Sequence, residues 1–207
     1  MPSSLMARSI RRRRHALAVL ALALLTPLVA ACGLSGTNDG GYIVGNSQVE
    51  AVPVGKRTDP IELTGTTLDG KQFDLASTRG KVTVINTWWS GCGPCNTEMP
   101  MLQQASKELG TSTDFVGINI RDNSADDGLA FQRAHGVTYP SIYSPDGKAV
   151  LAFPSAYAPR SVPATAILDT KGRVAAIIRG EIPSKLTLTE TVQCVADPSG
   201  QGCADFE

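Results

Sequence analysis

The chain has 207 residues, enough for one domain with a core of its own plus extra segments. With 42% hydrophobic and 18% charged residues it has the composition of an ordinary globular protein, which excludes a disordered or fibrous class. The formal charge is zero, yet residues 1–31 hold five arginines and no acid; the remainder keeps 14 basic against 19 acidic residues, a net of −5, which argues against nucleic acid as a partner.

The first 31 residues read as a targeting segment. Arg11, Arg12, Arg13 and Arg14 make a basic start, and residues 16–31 form an apolar stretch too short to be read as a membrane span. It ends Leu28-Val29-Ala30-Ala31-Cys32-Gly33, which resembles the lipobox of bacterial lipoproteins, in which the cysteine is lipidated and becomes the new N-terminus. Ordinary secretory cleavage with an incidental Cys32 is the alternative. Either route takes the protein out of the cytoplasm, where disulfides persist. Residues 32–57 are rich in Gly, Ser, Asn and Val without periodicity and are expected to be a flexible tether. Residues 58–207 are then the folded domain.

Within it, residues 61–75 alternate apolar and polar around Asp69-Gly70, a hairpin signal. The run Val82-Thr83-Val84-Ile85 starts a strand over residues 82–87. After it comes Trp88-Trp89-Ser90-Gly91-Cys92-Gly93-Pro94-Cys95, and then a helix over residues 97–109 in which Pro100 should make a kink. Residues 113–120 read as a strand. Residues 126–135 read as an amphipathic helix with Leu129, Ala130 and Ala134 on one side, ending at Gly136. Ser141-Ile142-Tyr143 is a short strand, followed by a turn at Pro145-Asp146-Gly147. Val162-Pro163 introduces a strand to Leu168, Lys171-Gly172 turns the chain into another over residues 174–179, and Ser184 caps a last helix to about Cys194. The order predicts an α/β fold with helices covering a mixed sheet.

Two cysteines three positions apart, between a strand and a helix, make a site. Cys92 would precede the helix, where unpaired N–H groups and the positive dipole end favour thiolate over thiol. The thiolate is the attacking species. Pro94 suits a first helical turn, where its missing N–H would have had no partner. Cys95, one turn on, can reach Cys92, so the pair can cycle between dithiol and disulfide. Zinc would need two more ligands, and the chain's histidines are only His15 and His135; haem attachment would need His where Asn96 stands. No metal and no cofactor is expected, and His135 reads as a helix-end surface residue.

These residues resemble the thioredoxin superfamily, and within it the membrane-anchored TlpA/ResA-type thiol–disulfide oxidoreductases. The resemblance spans about residues 59–194. It rests on Asn86-Thr87-Trp88-Trp89-Ser90-Gly91-Cys92-Gly93-Pro94-Cys95-Asn96-Thr97-Glu98-Met99-Pro100, on Val162-Pro163, and on the segment between Ile120 and Tyr143, which is similar to that group's central insertion. It implies a thioredoxin-like fold with an N-terminal β-hairpin and a central αβ insertion. It also implies that Cys92 is the nucleophile and Cys95 the resolving cysteine, and that Val162-Pro163 is a cis-proline loop that receives an extended client strand. Where plain thioredoxin carries a buried acid, this chain has Asn86, which cannot take a proton. Glu98, one turn past Cys95, is expected to tune or relay protons for it, the alternative being a solvated helix-face glutamate. An aromatic residue usually precedes the first cysteine; here Gly91 does, and Trp88 and Trp89 are the candidates for the substrate platform. With Cys32 taken up by lipid, four cysteines allow three pairings, of which Cys92–Cys95 with Cys194–Cys203 is the simplest. The second pair is expected to be a structural clip, a relay dithiol being the alternative.

The function this implies is thiol–disulfide exchange with cysteine-containing client proteins, apocytochrome c among the candidates. The protein would be a monomer, lipid-anchored on the extracytoplasmic side of the cell membrane, and fed by a membrane electron donor. The Gly93-Pro94 dipeptide, that of reducing thioredoxins, tilts the expectation towards reductant rather than general oxidant or isomerase. A thiol peroxidase on the same fold would carry a threonine where Trp89 stands. A copper-binding assembly factor would need a CxxxC spacing and a later histidine.

Overall fold

The computed structural model describes residues 48–207, so the targeting segment, Cys32 and the first part of the expected tether lie outside the described residues. A six-stranded mixed sheet forms the centre. In chain order its strands are β1 (Val49–Ala51), β4 (Val82–Trp88), β5 (Thr113–Asn119), β6 (Ser141–Tyr143), β7 (Ala164–Leu168) and β8 (Val174–Arg179). In space the order is β1-β8-β7-β4-β5-β6. β4, β5 and β6 run parallel; β7 runs antiparallel to β4, β8 to β7, and β1 to β8. β2 (Thr64–Thr66) and β3 (Gln72–Asp74) form the expected separate hairpin. Gly70 supplies the left-handed turn conformation there (φ 82°), at no steric cost for want of a Cβ.

β4 is buried at all seven positions, as a central strand covered on both faces must be. Its side chains alternate between two cores. Val84 and Trp88 join Met99, Leu102, Leu188 and Val192 on one face, and Ile85 joins Ile61, Leu75, Ile118 and Ile177 on the other. The helix α1 (Gly93–Leu109) lies on the first face. Its buried residues Cys95, Glu98, Met99, Leu102 and Gln103 follow the three-and-four spacing of one helical stripe. α1 begins four residues earlier than the periodicity predicts. It also runs on through Pro100, which cannot donate the bond that the Asn96 carbonyl would otherwise accept. α3 (Lys185–Ala196) is capped by Ser184 as expected: the Thr187 N–H donates to its Oγ at 3.0 Å.

Two expectations need correction. The helix α2 (Ala125–Ala134) turns Gly128 and Gln132 inward, while Ala130 and Ala134 are exposed. A polar residue can hold that inward place because its amide is satisfied: Gln132 Nε2 donates to the Tyr139 carbonyl at 3.2 Å and to Ser141 Oγ at 3.0 Å. And residues 48–57 are not tether. β1 completes the sheet edge, Val52 is buried, and Arg57 Nη1 reaches Asp169 at 3.2 Å while its Nε donates to the Val52 carbonyl at 3.0 Å. Burial pushes the Asp169 carboxyl up, but bonds from Arg173 and Arg57 outweigh it and hold the group below the usual carboxylate range.

The Arg57–Asp169 pair is buried on both sides, so removing one partner leaves a charge with less compensation. Arg57→Ala is expected to cost about 3 kcal/mol, the low end for broken buried pairs because Arg173 remains. Chemical denaturation of parent and variant measures it; a loss near zero would return residues 48–57 to the status of a loose arm.

Candidate active site

β4 delivers the chain to the site and α1 carries it away. Between them Cys92 is the helix N-cap, in extended conformation, and its Sγ accepts the Cys95 N–H at 3.1 Å. The Cys92 N–H donates to the Trp89 carbonyl at 3.1 Å, and the Asn96 N–H to the Cys92 carbonyl at 3.1 Å. Pro94 stands in the first turn. Cys92 and Cys95 are joined as a disulfide with Cα atoms 5.2 Å apart. Cys95 is fully buried; Cys92 is nearly so, but is flanked by exposed Gly91, Gly93 and Pro94. When the bond opens, a Cys92 thiolate lies at the positive end of α1, where it is favoured.

The sheet register brings the second loop to the same place. Ala164 of β7 pairs with Thr87, one residue before β4 ends. The Val162–Pro163 bond just ahead of it is cis. Pro163 is buried, and its carbonyl accepts from the Gly180 N–H at 3.0 Å and from Ser161 Oγ at 3.3 Å. Val162 is half-buried, and its backbone has no hydrogen-bond partner among the described residues. That N–H and C=O are open to an added strand.

Glu98 is 2% exposed, one helical turn beyond Cys95 on the inner stripe of α1. Asn86 Nδ2 donates to its Oε1 at 2.8 Å and the Ile182 N–H to its Oε2 at 3.0 Å. Asn86 Nδ2 also donates to Thr165 Oγ1 at 3.0 Å, while Asn86 Oδ1 is buried with no partner among the described residues. Burial pushes the Glu98 carboxyl up to about 7; the bonds from Ile182 and Asn86 resist this, and the charge of Glu181 adds to it. Burial, then the Glu98 charge, also raises the Tyr139 hydroxyl, which donates to Met99 Sδ at 3.4 Å and stays neutral. The site thus holds a buried acid, raised by its burial, one helical turn beyond a buried cysteine.

The two tryptophans separate. Trp88 is fully buried: its indole N–H donates to Ser141 Oγ at 3.3 Å and its ring stacks on Phe131 with centroids 5.1 Å apart. It is a core residue and offers no surface to a client, because it is the last inward position of β4. Trp89 is half-buried and lies over Gly91. A Cβ at Gly91 would overlap the six-membered ring of Trp89, falling 2.6 Å from its Cη2, so the ring requires glycine there. Trp89 therefore occupies, from two positions upstream, the space that a side chain at position 91 would take.

Cys194 and Cys203 are joined, both buried, with Cα atoms 5.2 Å apart, tying the end of α3 to the tail that places Phe206 in the core. Two contacts around the redox loop have no counterpart in the sequence reading. Asp122 is buried and accepts from the Ser90 N–H at 3.2 Å, from the Ser90 hydroxyl, and from Asn119 Nδ2 at 2.6 Å. His135 is half-buried, and its Nε2 lies 2.9 Å from Asn96 Oδ1. The signal for Asp122 was its place just past the end of the strand beside β4, where α/β sheets gather their sites; nothing local marked His135.

The Redoxin family model matches residues 50–193. The chain belongs to the redoxin family. ResA, a thiol–disulfide oxidoreductase of Geobacillus kaustophilus, is 28% identical over 165 residues, 78% of this chain and 87% of that one. The crystal structure of a DsbF homologue from Corynebacterium diphtheriae superposes with a TM-score of 0.63 at 30% identity, covering 76% of this chain and 96% of the other. A secreted thiol-disulfide isomerase from Corynebacterium glutamicum gives 0.62 at 28%, covering 77% and 95%. This redoxin is a thiol–disulfide oxidoreductase of the thioredoxin superfamily, TlpA/ResA type. Among its described residues no grouping of three His, Cys, Asp or Glu could hold a metal ion, and no helix is long and apolar enough to cross a membrane.

A raised Glu98 means that the folded redoxin holds this proton more tightly than the unfolded chain does. The stability this contributes is fully present below about 4.5 and is lost as pH rises through about 7. Glu98→Gln removes the dependence. Between about pH 5 and 8 the parent is expected to lose on the order of 2–3 kcal/mol relative to the variant, read from denaturation curves of the oxidised proteins. Parallel profiles would mean that Glu98 titrates as an exposed glutamate does.

Proposed function

We propose that this redoxin reduces disulfides in extracytoplasmic client proteins, with the cysteine pair of apocytochrome c as one client of this kind. The observation that carries the reading is Glu98, a carboxyl buried one turn from the buried Cys95 with no cation on it among the described residues, held by Asn86 and the Ile182 N–H and pushed up to about 7 by its burial. In the first step the Cys92 thiolate attacks a client sulfur; a Cys92–client bond forms and the client disulfide breaks, its second sulfur leaving as thiolate. Cys95, a thiol deprived of water, must then lose its proton, and the Glu98 carboxylate accepts it. The Cys95 thiolate attacks Cys92 Sγ, the remaining client sulfur leaves, and the client has gained two electrons while Cys92–Cys95 has become the disulfide. A membrane electron donor returns the pair to the dithiol. Asn86 cannot take the proton; it holds Oε1 of the residue that does.

Around this chemistry, the open backbone of Val162 and the fixed Pro163 receive the client strand, and Trp89 supplies the apolar platform beside Cys92. Cys194–Cys203 acts as a structural clip rather than a relay. The lipobox-like Leu28-Val29-Ala30-Ala31-Cys32 supports a lipid anchor at Cys32 that keeps the domain at the outer face of the cell membrane.

Three measurements test the proposal together. Cys92→Ser is expected to abolish client reduction. Glu98→Gln should leave the first step intact and slow resolution of the mixed disulfide by about 10²-fold, with loss of the pH dependence near neutrality. The equilibrium potential of the parent should fall near that of thioredoxin, about −270 mV; a value near −120 mV would make the protein an oxidant and end the proposal.

A further inference from the structure

The insertion between β5 and β6 touches the redox loop at both ends. On one side, Asp122, just before α2, holds Ser90, two residues ahead of Cys92: both carboxylate oxygens lie 3.2 Å from the Ser90 N–H, and one accepts the Ser90 hydroxyl. Asp122 is itself fixed, by Asn119 Nδ2 at 2.6 Å and by the Tyr143 hydroxyl on its carbonyl at 3.1 Å. Arg121 beside it adopts a left-handed backbone (φ 62°), which side chains rarely accept unless the surroundings enforce it. On the other side, His135, the C-cap of α2, holds Asn96, the residue after Cys95. The Phe131 carbonyl, 2.9 Å from Nδ1, can only accept, so Nδ1 carries a hydrogen; Nε2 meets Asn96 at the atom assigned Oδ1, 2.9 Å away, either by donating from a ring that carries both hydrogens or by accepting from the amide turned end for end. Between the two ends, Phe131 lies tilted against His135 at 4.2 Å and stacks on Trp88 at 5.1 Å.

We infer that α2 and its flanks form a two-point clamp on the loop of residues 90–96, and that Asp122 and His135 are positioning residues that hold the two sulfurs within bonding reach. Among the described residues neither is hydrogen-bonded to a sulfur; each acts through a residue next to or near one. The bonds are made with Cys92 and Cys95 joined, and they favour the disulfide to the extent that the dithiol loop gives them up. Loosening them lets the loop spread, lowers the effective concentration of one thiol at the other, and makes the disulfide easier to reduce. This rests on the Cys92–Cys95 couple being the redox centre, and extends it through contacts that span 32 and 39 residues of sequence.

The test equilibrates the full-length protein with glutathione buffers at neutral pH, then reads the Cys92–Cys95 peptide after alkylation and mass spectrometry. Melting temperatures of both redox forms are recorded beside it. Asn96→Ala and His135→Ala should each lower the equilibrium constant for the disulfide about fivefold, the worth of one net hydrogen bond. The double variant should shift no further than the larger single, since both remove one contact. Asp122→Ala should lower the constant by a similar factor and add to either, and Asp122→Asn, which keeps an oxygen for the Ser90 N–H, should recover most of it. A purely structural role would lower both melting temperatures together and leave the constant alone. Constants within twofold of the parent in Asn96→Ala, His135→Ala and Asp122→Ala overturn the clamp. Should the buried Asp122 variants fail to fold, exposed Asn96 still decides. A parent that does not exchange with glutathione at all would instead sink the assignment of the couple itself.

Discussion

A single carboxyl group binds four parts of this fold together. Glu98 projects from α1 into the space between helix and sheet, takes one hydrogen bond from Asn86 on β4 and another from the Ile182 backbone ahead of α3, and through Asn86 is linked to Thr165 on β7. A glutamate buried to this degree is costly as an ion and tolerable as an acid. The fold resolves the conflict by supplying donors for both oxygens while withholding any cation, which leaves the proton affinity close to balance near neutrality. On the proposed mechanism this is also where the buried Cys95 thiol passes on its proton, at the meeting of strand, helix and loop.

The cysteine loop itself has few contacts of its own. Gly91, Gly93 and Pro94 are exposed, and regular backbone bonding begins only with α1. Its position comes from what lies on either side. Below, β4 is held between β5 and β7. Beside it, the β5–β6 segment supplies Asp122, Phe131 and His135. On the inferred clamp, a segment of this kind tunes the cysteine motif without altering it, because the adjusting residues lie outside it.

Much of this was legible because its causes are local. Cys92-Gly93-Pro94-Cys95 after an apolar run announces strand, turn and helix start through residue types that each have a reason at their position. The Asp69-Gly70 hairpin and the Ser184 cap are of the same sort. What stayed hidden depends on distant partners. A glutamate on a helix reads equally well as solvated or buried; Asn86 and Ile182, 12 and 84 residues away, decide it. His135 meets Asn96 across 39 residues. β1 has only three residues and no periodicity to find; it joins the domain by pairing with β8, and Arg57 just beyond it meets Asp169 across 112 residues. Trp88 and Trp89 look alike in sequence, yet the strand's alternation sends one inward and leaves the other at the rim.

The seating of the Trp89 ring on the bare backbone of Gly91 couples these two positions. Any side chain at position 91 collides with the ring for as long as position 89 keeps it, so a change at one is felt at the other, and the pair behaves as a unit rather than as two independent sites.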